Sequence, residues 1–165
     1  MRQTRANLAT RQRGMVLVVS LIFLLLLSML GVSSMQSAAL QEKMASSLSF
    51  RNQSFQIAEA VLRAAESSIL ANGFSLAPCV YCLPPPESTK VVSGGTYGGT
   101  GSSSGLAWTA WGGGFYLIQN LGQTKTPAVL PSVCSGGATV TLYRVTSVST
   151  QGTSRSVLES VYGTC

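Results

Sequence analysis

Histidine is absent from the 165-residue sequence, and only 10% of the residues are charged. Without histidine the chain lacks the most common general base, and a zinc site would have to use cysteine or carboxylate ligands alone. The remaining residues offer no nucleophile–base pair of the kind that hydrolytic enzymes use. We therefore expect no enzymatic activity, no cofactor and no metal site.

Acidic residues are also few, five against eleven basic ones, which gives a net charge of +6. Four of the basic residues are arginines that precede Gly14, so beyond Gly14 seven basic residues face five acidic ones, a net charge of +2. These seven are scattered along the chain and form no run. Nucleic acid is therefore not an expected partner.

Charge is missing altogether from Gly14 to Gln41. Within this stretch Met15 to Met35 consists mostly of large apolar residues, and about 20 helical residues suffice to cross the hydrocarbon core of a membrane. Arginines before the run and none soon after it predict a cytoplasmic N-terminus and an exported remainder. A secretory signal cleaved near Ser37-Ala38-Ala39 is the alternative interpretation.

Proline and glycine are missing from Gln36 to Ala71, a segment rich in good helix formers. We expect one nearly continuous helix from about Met15 to Ala71, ended by Asn72-Gly73. Apolar residues recur every seven positions along its exported half, which predicts a stripe that packs against a globular core. A coiled coil with another chain is the alternative role of this stripe, which comprises Leu48, Phe55, Leu62 and Ile69.

Beyond the helix the composition changes to glycine, proline, serine and threonine over residues 73–105, which predicts turns and irregular loop. Its part Ser93–Gly105 is interpreted as a spacer, or alternatively as a tip loop that binds a partner. Strands are expected at 106–111, 114–122, 138–150 and 155–165, the last two forming a hairpin around Gln151-Gly152. The predicted fold class is α+β: a long N-terminal helix, half transmembrane and half exported and amphipathic, packed on a small antiparallel sheet.

No cysteine precedes Cys79, so all four cysteines lie in the exported part, where disulfides persist. Four cysteines allow three pairings. We favour Cys79–Cys82 together with Cys134–Cys165, and closing the longer loop should stabilise the domain by about 3–4 kcal/mol. A redox-active pair at Cys79 and Cys82, or a four-cysteine zinc site, are the alternatives.

A basic leader that ends in Gly14, followed by an apolar helix from Met15, resembles the class III signal of type IV pilins and pseudopilins. The stretch from Arg11 to Glu66, with its Gln-Glu-Lys-Met-Ala segment at 41–45, resembles the N-terminal region of PilX-type minor pilins. The ending "YRVTSVSTQGTSRSVLESVYGTC" resembles the closing sheet of that family. The resemblance implies that prepilin peptidase cuts the Gly14–Met15 bond and that Met15 is then N-methylated.

Four regions follow from this interpretation. They are a leader at 1–14, a transmembrane and assembly helix at 15–37, an amphipathic periplasmic helix at 38–71, and an exported domain at 72–165. The implied location is the inner membrane, crossed once, and after assembly the pilus, at its tip. The implied partners are other minor and major pilins, prepilin peptidase, the inner-membrane assembly machinery and membrane lipid.

Val19 departs from the pilin pattern, because most pilins carry glutamate at the fifth position of the mature chain. A buried carboxylate there would pair with the terminal amine of an adjacent subunit, and subunits at the tip of such assemblies lack it. The resemblance therefore implies a minor pilin that promotes the initiation of type IV pili, and through them adhesion and twitching motility. The alternatives are a tip-type pseudopilin of a type II secretion system, which usually carries a larger helical insertion, and a bitopic adhesion or binding protein.

Overall fold

The computed structural model describes residues 9–98, 103–132 and 134–165, with side chains from Gly14 onward. The chain divides into two units, Met1–Ser46 and Ser47–Cys165. Most of the predicted leader lies outside the residues whose side chains are described, as do residues 99–102 of the predicted Ser93–Gly105 spacer.

Helix α1, Ala9–Ile69, supplies the regular structure described in the first unit. Every described side chain from Gly14 to Ser46 is exposed, and the most apolar 18-residue window has a mean hydropathy of 2.9. The hydroxyls of Ser20 and Ser28 donate to carbonyls three residues earlier, at 2.9 and 2.8 Å. Because these hydroxyls are satisfied within the helix, the segment suits a lipid environment. It is long and apolar enough to cross a membrane.

The second unit combines the end of α1 with an antiparallel five-stranded sheet in which each strand lies beside its neighbour in sequence. The strands are β1 Gly95–Thr96, β2 Ala107–Trp111, β3 Gly114–Thr124, β4 Val140–Gln151 and β5 Ser154–Thr164. A short 3₁₀ helix occupies Pro86–Thr89. This arrangement confirms the predicted α+β, pilin-like fold class.

The hairpin between β4 and β5 was expected from Gln151-Gly152, and the structure closes it with the pair Gln151 and Ser154. Gly152 has a φ of +55°, whereas no residue other than glycine has a positive φ in the described part of the chain. Glycine alone at the first of the two central positions defines a type II′ turn, whose twist matches that of the flanking strands.

The helix side of the sheet buries a different stripe of α1 from the predicted one. Leu48 and Phe55 are 59% and 49% exposed, Leu62 is half-buried, and Ile69 is 5% exposed. Residues seven apart rotate by about 20° per repeat around a straight helix, so the stripe turns from solvent toward the core along its length. The buried positions follow three- and four-residue spacing instead, and they are Ser54, Ala58, Val61, Ala65 and Ile69.

Small side chains let α1 approach the sheet closely. Ser54 Oγ lies 2.8 Å from Ser156 Oγ of β5, and Ser147 Oγ of β4 donates to the Ala58 carbonyl at 2.8 Å. A periodicity count that considers only large apolar residues misses serine and alanine at such a contact. Larger residues complete the core further along, where Ala65 and Ile69 pack with Tyr143 and Val145.

The opposite side of the sheet has its own core, formed by Val91, Trp108, Leu117 and Val148. The chain between α1 and β2 covers this side, so β4 is buried on both faces from Val145 to Ser149. This explains why β4 shows no simple alternation of apolar and polar residues.

Side chains of β3 and β4 anchor that covering segment. Gln119 Nε2 donates to the carbonyls of Tyr81 and Leu83, at 2.7 and 3.2 Å, and Asn120 Nδ2 donates to the Leu76 carbonyl at 2.6 Å. Arg144 donates to the Cys82 carbonyl and pairs with Glu159 at 2.7 Å. Buried amides and a guanidinium therefore satisfy backbone groups that a loop on a sheet would otherwise leave unpaired.

Tyr97 fixes the turn before β1. Its phenol oxygen accepts hydrogen bonds from the amides of Val92 and Ser93, each at 2.8 Å, and its hydroxyl donates to the Ser93 carbonyl at 2.9 Å. The hydrogen bond with the Ser93 side chain is the main reason why the pKa of Tyr97 lies below its ordinary value.

Candidate functional site

The first candidate surface lies on α1 in the first unit and consists almost entirely of apolar side chains. One face of the helix is lined at three- and four-residue spacing by Met15, Val16, Val19, Ser20, Phe23, Leu24 and Leu27. No charged side chain lies on this face, so lipid or another apolar helix are the surroundings that it suits.

Met15 and Val19 lie one helical turn apart on this face, 73% and 50% exposed. A chain that began at Met15 would carry its terminal amine there, beside the position where most pilins have a carboxylate. Val19 cannot accept a proton or a hydrogen bond. Neither the cut at Gly14 nor the methylation of Met15 is visible in the geometry, and both stay predictions.

The cysteines lie in the second unit and form two disulfides. Cys79 is joined to Cys82, with Cα atoms 5.4 Å apart, and Cys134 to Cys165, with Cα atoms 5.9 Å apart. The second bridge fixes the end of β5 to the segment before β4. Across the described ranges, no three side chains of the metal-binding types are grouped to hold an ion.

A second candidate surface, not foreseen from the sequence, lies within the second unit where α1 runs beside β5. The groove there is lined by Leu48, Arg51, Asn52, Phe55, Arg155, Ser156, Val157 and Leu158. Sequence periodicity pointed to Leu48 and Phe55 but assigned them to the core. Their partner strand is a hundred residues away in the sequence, so no local signal could have placed them beside it.

Together, an apolar N-terminal helix and an antiparallel sheet packed on the last part of that helix define a pilin-like fold. Residues 13–63 match the family model described as PilX N-terminal. The match confirms the resemblance over this segment and supports a PilX-type minor pilin of the type IV pilus. No curated protein and no solved structure matches the chain.

The matched residues end within the buried stripe of α1, before Ala65 and Ile69. The match therefore covers the charge-free part of the helix with Val19, and it leaves the sheet, both disulfides and the β5 side of the groove outside. The matched segment, with its apolar helix, fits a protein that is anchored in the membrane by a single span.

Proposed function

We propose that the protein is a minor pilin that promotes the initiation and assembly of type IV pili. The observation that carries this proposal is the uncharged face containing Met15 and Val19, in the segment that matches the PilX N-terminal model. A subunit of the filament shaft needs a carboxylate for its neighbour's terminal amine, because a charge removed from water must be paired. A subunit that starts the filament has no such requirement.

The same helix serves the protein in two surroundings. In the inner membrane its exposed apolar side chains are solvated by lipid, and the exported domain lies in the periplasm. On assembly the apolar face would pack against the helices of other pilins. Lipid and helix are similarly apolar, so close packing between helices favours the transfer, while the hydroxyls of Ser20 and Ser28 are satisfied within the helix in both surroundings.

Processing by prepilin peptidase is tested by the mass of the protein purified from membranes. We expect a chain that begins at N-methyl-Met15, because cleavage after Gly14 removes the arginine-rich leader and keeps the apolar helix. Top-down mass spectrometry would show it, and a Gly14→Leu variant, in which a bulky side chain blocks the scissile bond, should keep Met1. A wild-type chain starting at Met1 would favour a simple bitopic anchor. One starting near Leu40 would indicate a secretory signal.

The initiating role is tested by restoring a carboxylate with Val19→Glu. This variant can pair with a neighbour's terminal amine, so we expect fewer pili per cell and the labelled subunit along the shaft instead of at one end. An unpaired acidic group costs about 3 kcal/mol at the centre of a membrane helix, and a smaller cost at Val19, close to the start of the segment, adds to the loss of pili. Pilus counts and immunogold labelling in cells that lack the wild-type copy measure both effects.

Two control variants separate the effect of a carboxylate at position 19 from the general cost of placing an acidic residue in the membrane. Val19→Leu keeps the face apolar and should retain the wild-type number of pili. Val18→Glu carries the same cost in lipid on a residue that does not line the face with Met15, so the subunit should not enter the shaft. If Val19→Glu initiated pili as the wild type does, the apolar residue at this position would have no role.

A further inference from the structure

The strand β5 closes one side of the sheet, and its outer edge is free among the residues that the structure describes. The pairing between β4 and β5 runs without interruption from Gln151 and Ser154 to Thr141 and Thr164. In a hairpin closed by a two-residue turn, the closing pair is hydrogen-bonded and every second pair follows it. The backbone amides and carbonyls of Arg155, Val157, Glu159, Val161 and Gly163 therefore point away from β4.

This edge lacks the features that usually prevent pairing with another chain. β5 contains no proline and no lysine, and its register with β4 shows no bulge. Its two charged side chains bind elsewhere in the domain, since Arg155 donates to the Ser88 carbonyl at 3.1 Å and Glu159 pairs with Arg144. The edge is eleven residues long, whereas β1 on the other side of the sheet has two.

The groove between α1 and β5 adds side-chain recognition beside the same edge. Leu48 and Phe55 present apolar surface from the helix, and Val157 is 41% exposed on the strand. Both charged residues that line the groove, Arg51 and Arg155, are cationic. Neither has a carboxylate partner within the described part of the chain.

We propose that β5 and this groove bind an extended segment of another protein, which adds a sixth strand to the sheet. Main-chain hydrogen bonds to the free edge would supply affinity. Side chains on alternate positions of the added strand would contact Leu48 and Phe55, and a carboxylate would pair with Arg51. The ligand class is thus an extended peptide in which apolar and acidic residues share one face, at every second position.

A second copy of this chain is a poor occupant of the site. Its own β5 would bring Arg155 toward a groove that is already cationic, and its one acidic side chain, Glu159, is held by Arg144 at 2.7 Å. The proposal goes beyond the role in pilus initiation and does not depend on it, because binding is measured on the purified protein.

The test uses the full chain in detergent and a fluorescent nine-residue peptide, capped at both ends, in which every second residue is valine or glutamate and the residues between them are threonine. We expect saturable binding by fluorescence anisotropy. Val157→Pro removes an amide that faces outward and is not used in the β4–β5 ladder, so the sheet should fold while affinity falls about tenfold or more. Val157→Thr keeps this amide and replaces only one methyl group with a hydroxyl, so it should lose far less affinity than Val157→Pro.

Two further probes identify the contacts. A peptide N-methylated on the alternate residues whose amides face β5 cannot donate the edge hydrogen bonds and should not bind. This test remains valid even if Val157→Pro fails to fold. Arg51→Glu should lower the affinity for the acidic peptide and raise the affinity for a peptide with lysine in place of glutamate. Absence of saturable binding, or equal affinity of the methylated peptide, would overturn the proposal. So would a dimer of the full chain that the peptide displaces from this edge.

Discussion

Gly114, at the start of β3, lies where α1 and the sheet approach each other closely. A Cβ atom at this position would lie 2.7 Å from the Val148 carbonyl oxygen and 2.9 Å from Cγ2 of Val61. The sequence shows only the last glycine of a turn between two strands. Its role beneath α1 depends on Val61, which is distant along the chain, and could not be predicted from the local pattern.

Gly114→Ala should destabilise the domain, because neither the carbonyl nor the buried Val61 can move without disturbing the core. Overpacking of this kind costs about 2 kcal/mol. Urea denaturation followed by circular dichroism measures the loss as a lower midpoint. Gly136→Ala is the matched control, since its Cβ would meet open space and its φ is not positive. It should leave the midpoint unchanged or raise it slightly, and equal midpoints for the two variants would contradict the close contact.

At the scale of secondary-structure elements, the sequence was most informative where periodicity is local. The absence of proline and glycine from Gln36 to Ala71 predicted the exported part of α1, which ends at Ile69. Alternation and Gln151-Gly152 predicted the hairpin of β4 and β5. The two-residue strand β1 was not predicted, because a pairing of Gly95 and Thr96 with β2 leaves no signal in glycine-rich sequence.

The error in the α1 stripe has a physical reason at the same scale. Helix periodicity gives a set of apolar positions but not the direction from which the sheet approaches. Here the sheet lies against small residues, Ser54, Ala58 and Ala65, and leaves Leu48 and Phe55 at the rim beside β5. The alternative role of the stripe, a coiled coil with another chain, stays a prediction, and the exposed Leu48 and Phe55 line the groove beside β5.

At the scale of the whole molecule, the two candidate surfaces differ in how far they could be predicted. The residues of the apolar face with Met15 and Val19 all lie within one short segment of the sequence. The resemblance of this segment to PilX-type pilins is visible in the sequence, and the family model matches it over residues 13–63. The groove joins residues near 50 with residues near 156, so it required the folded sheet. Local sequence thus specifies the membrane segment, and tertiary structure specifies the exported surface.

The division into two units predicts that residues 47–165 fold without the apolar segment. From Gly14 to Asn52 the structure shows no residue of the buried core, and every described side chain from Gly14 to Ser46 is exposed. Secreted to an oxidising compartment so that both disulfides form, this fragment should dissolve without detergent. Its urea denaturation midpoint should equal that of the full chain.

A shorter fragment, residues 60–165, is the control. It lacks Ser54 and Ala58 and loses their contacts with Ser156 and Ser147, so its midpoint should lie at a lower urea concentration. Aggregation or non-cooperative unfolding of the longer fragment would show that the exported domain depends on the membrane segment for its stability.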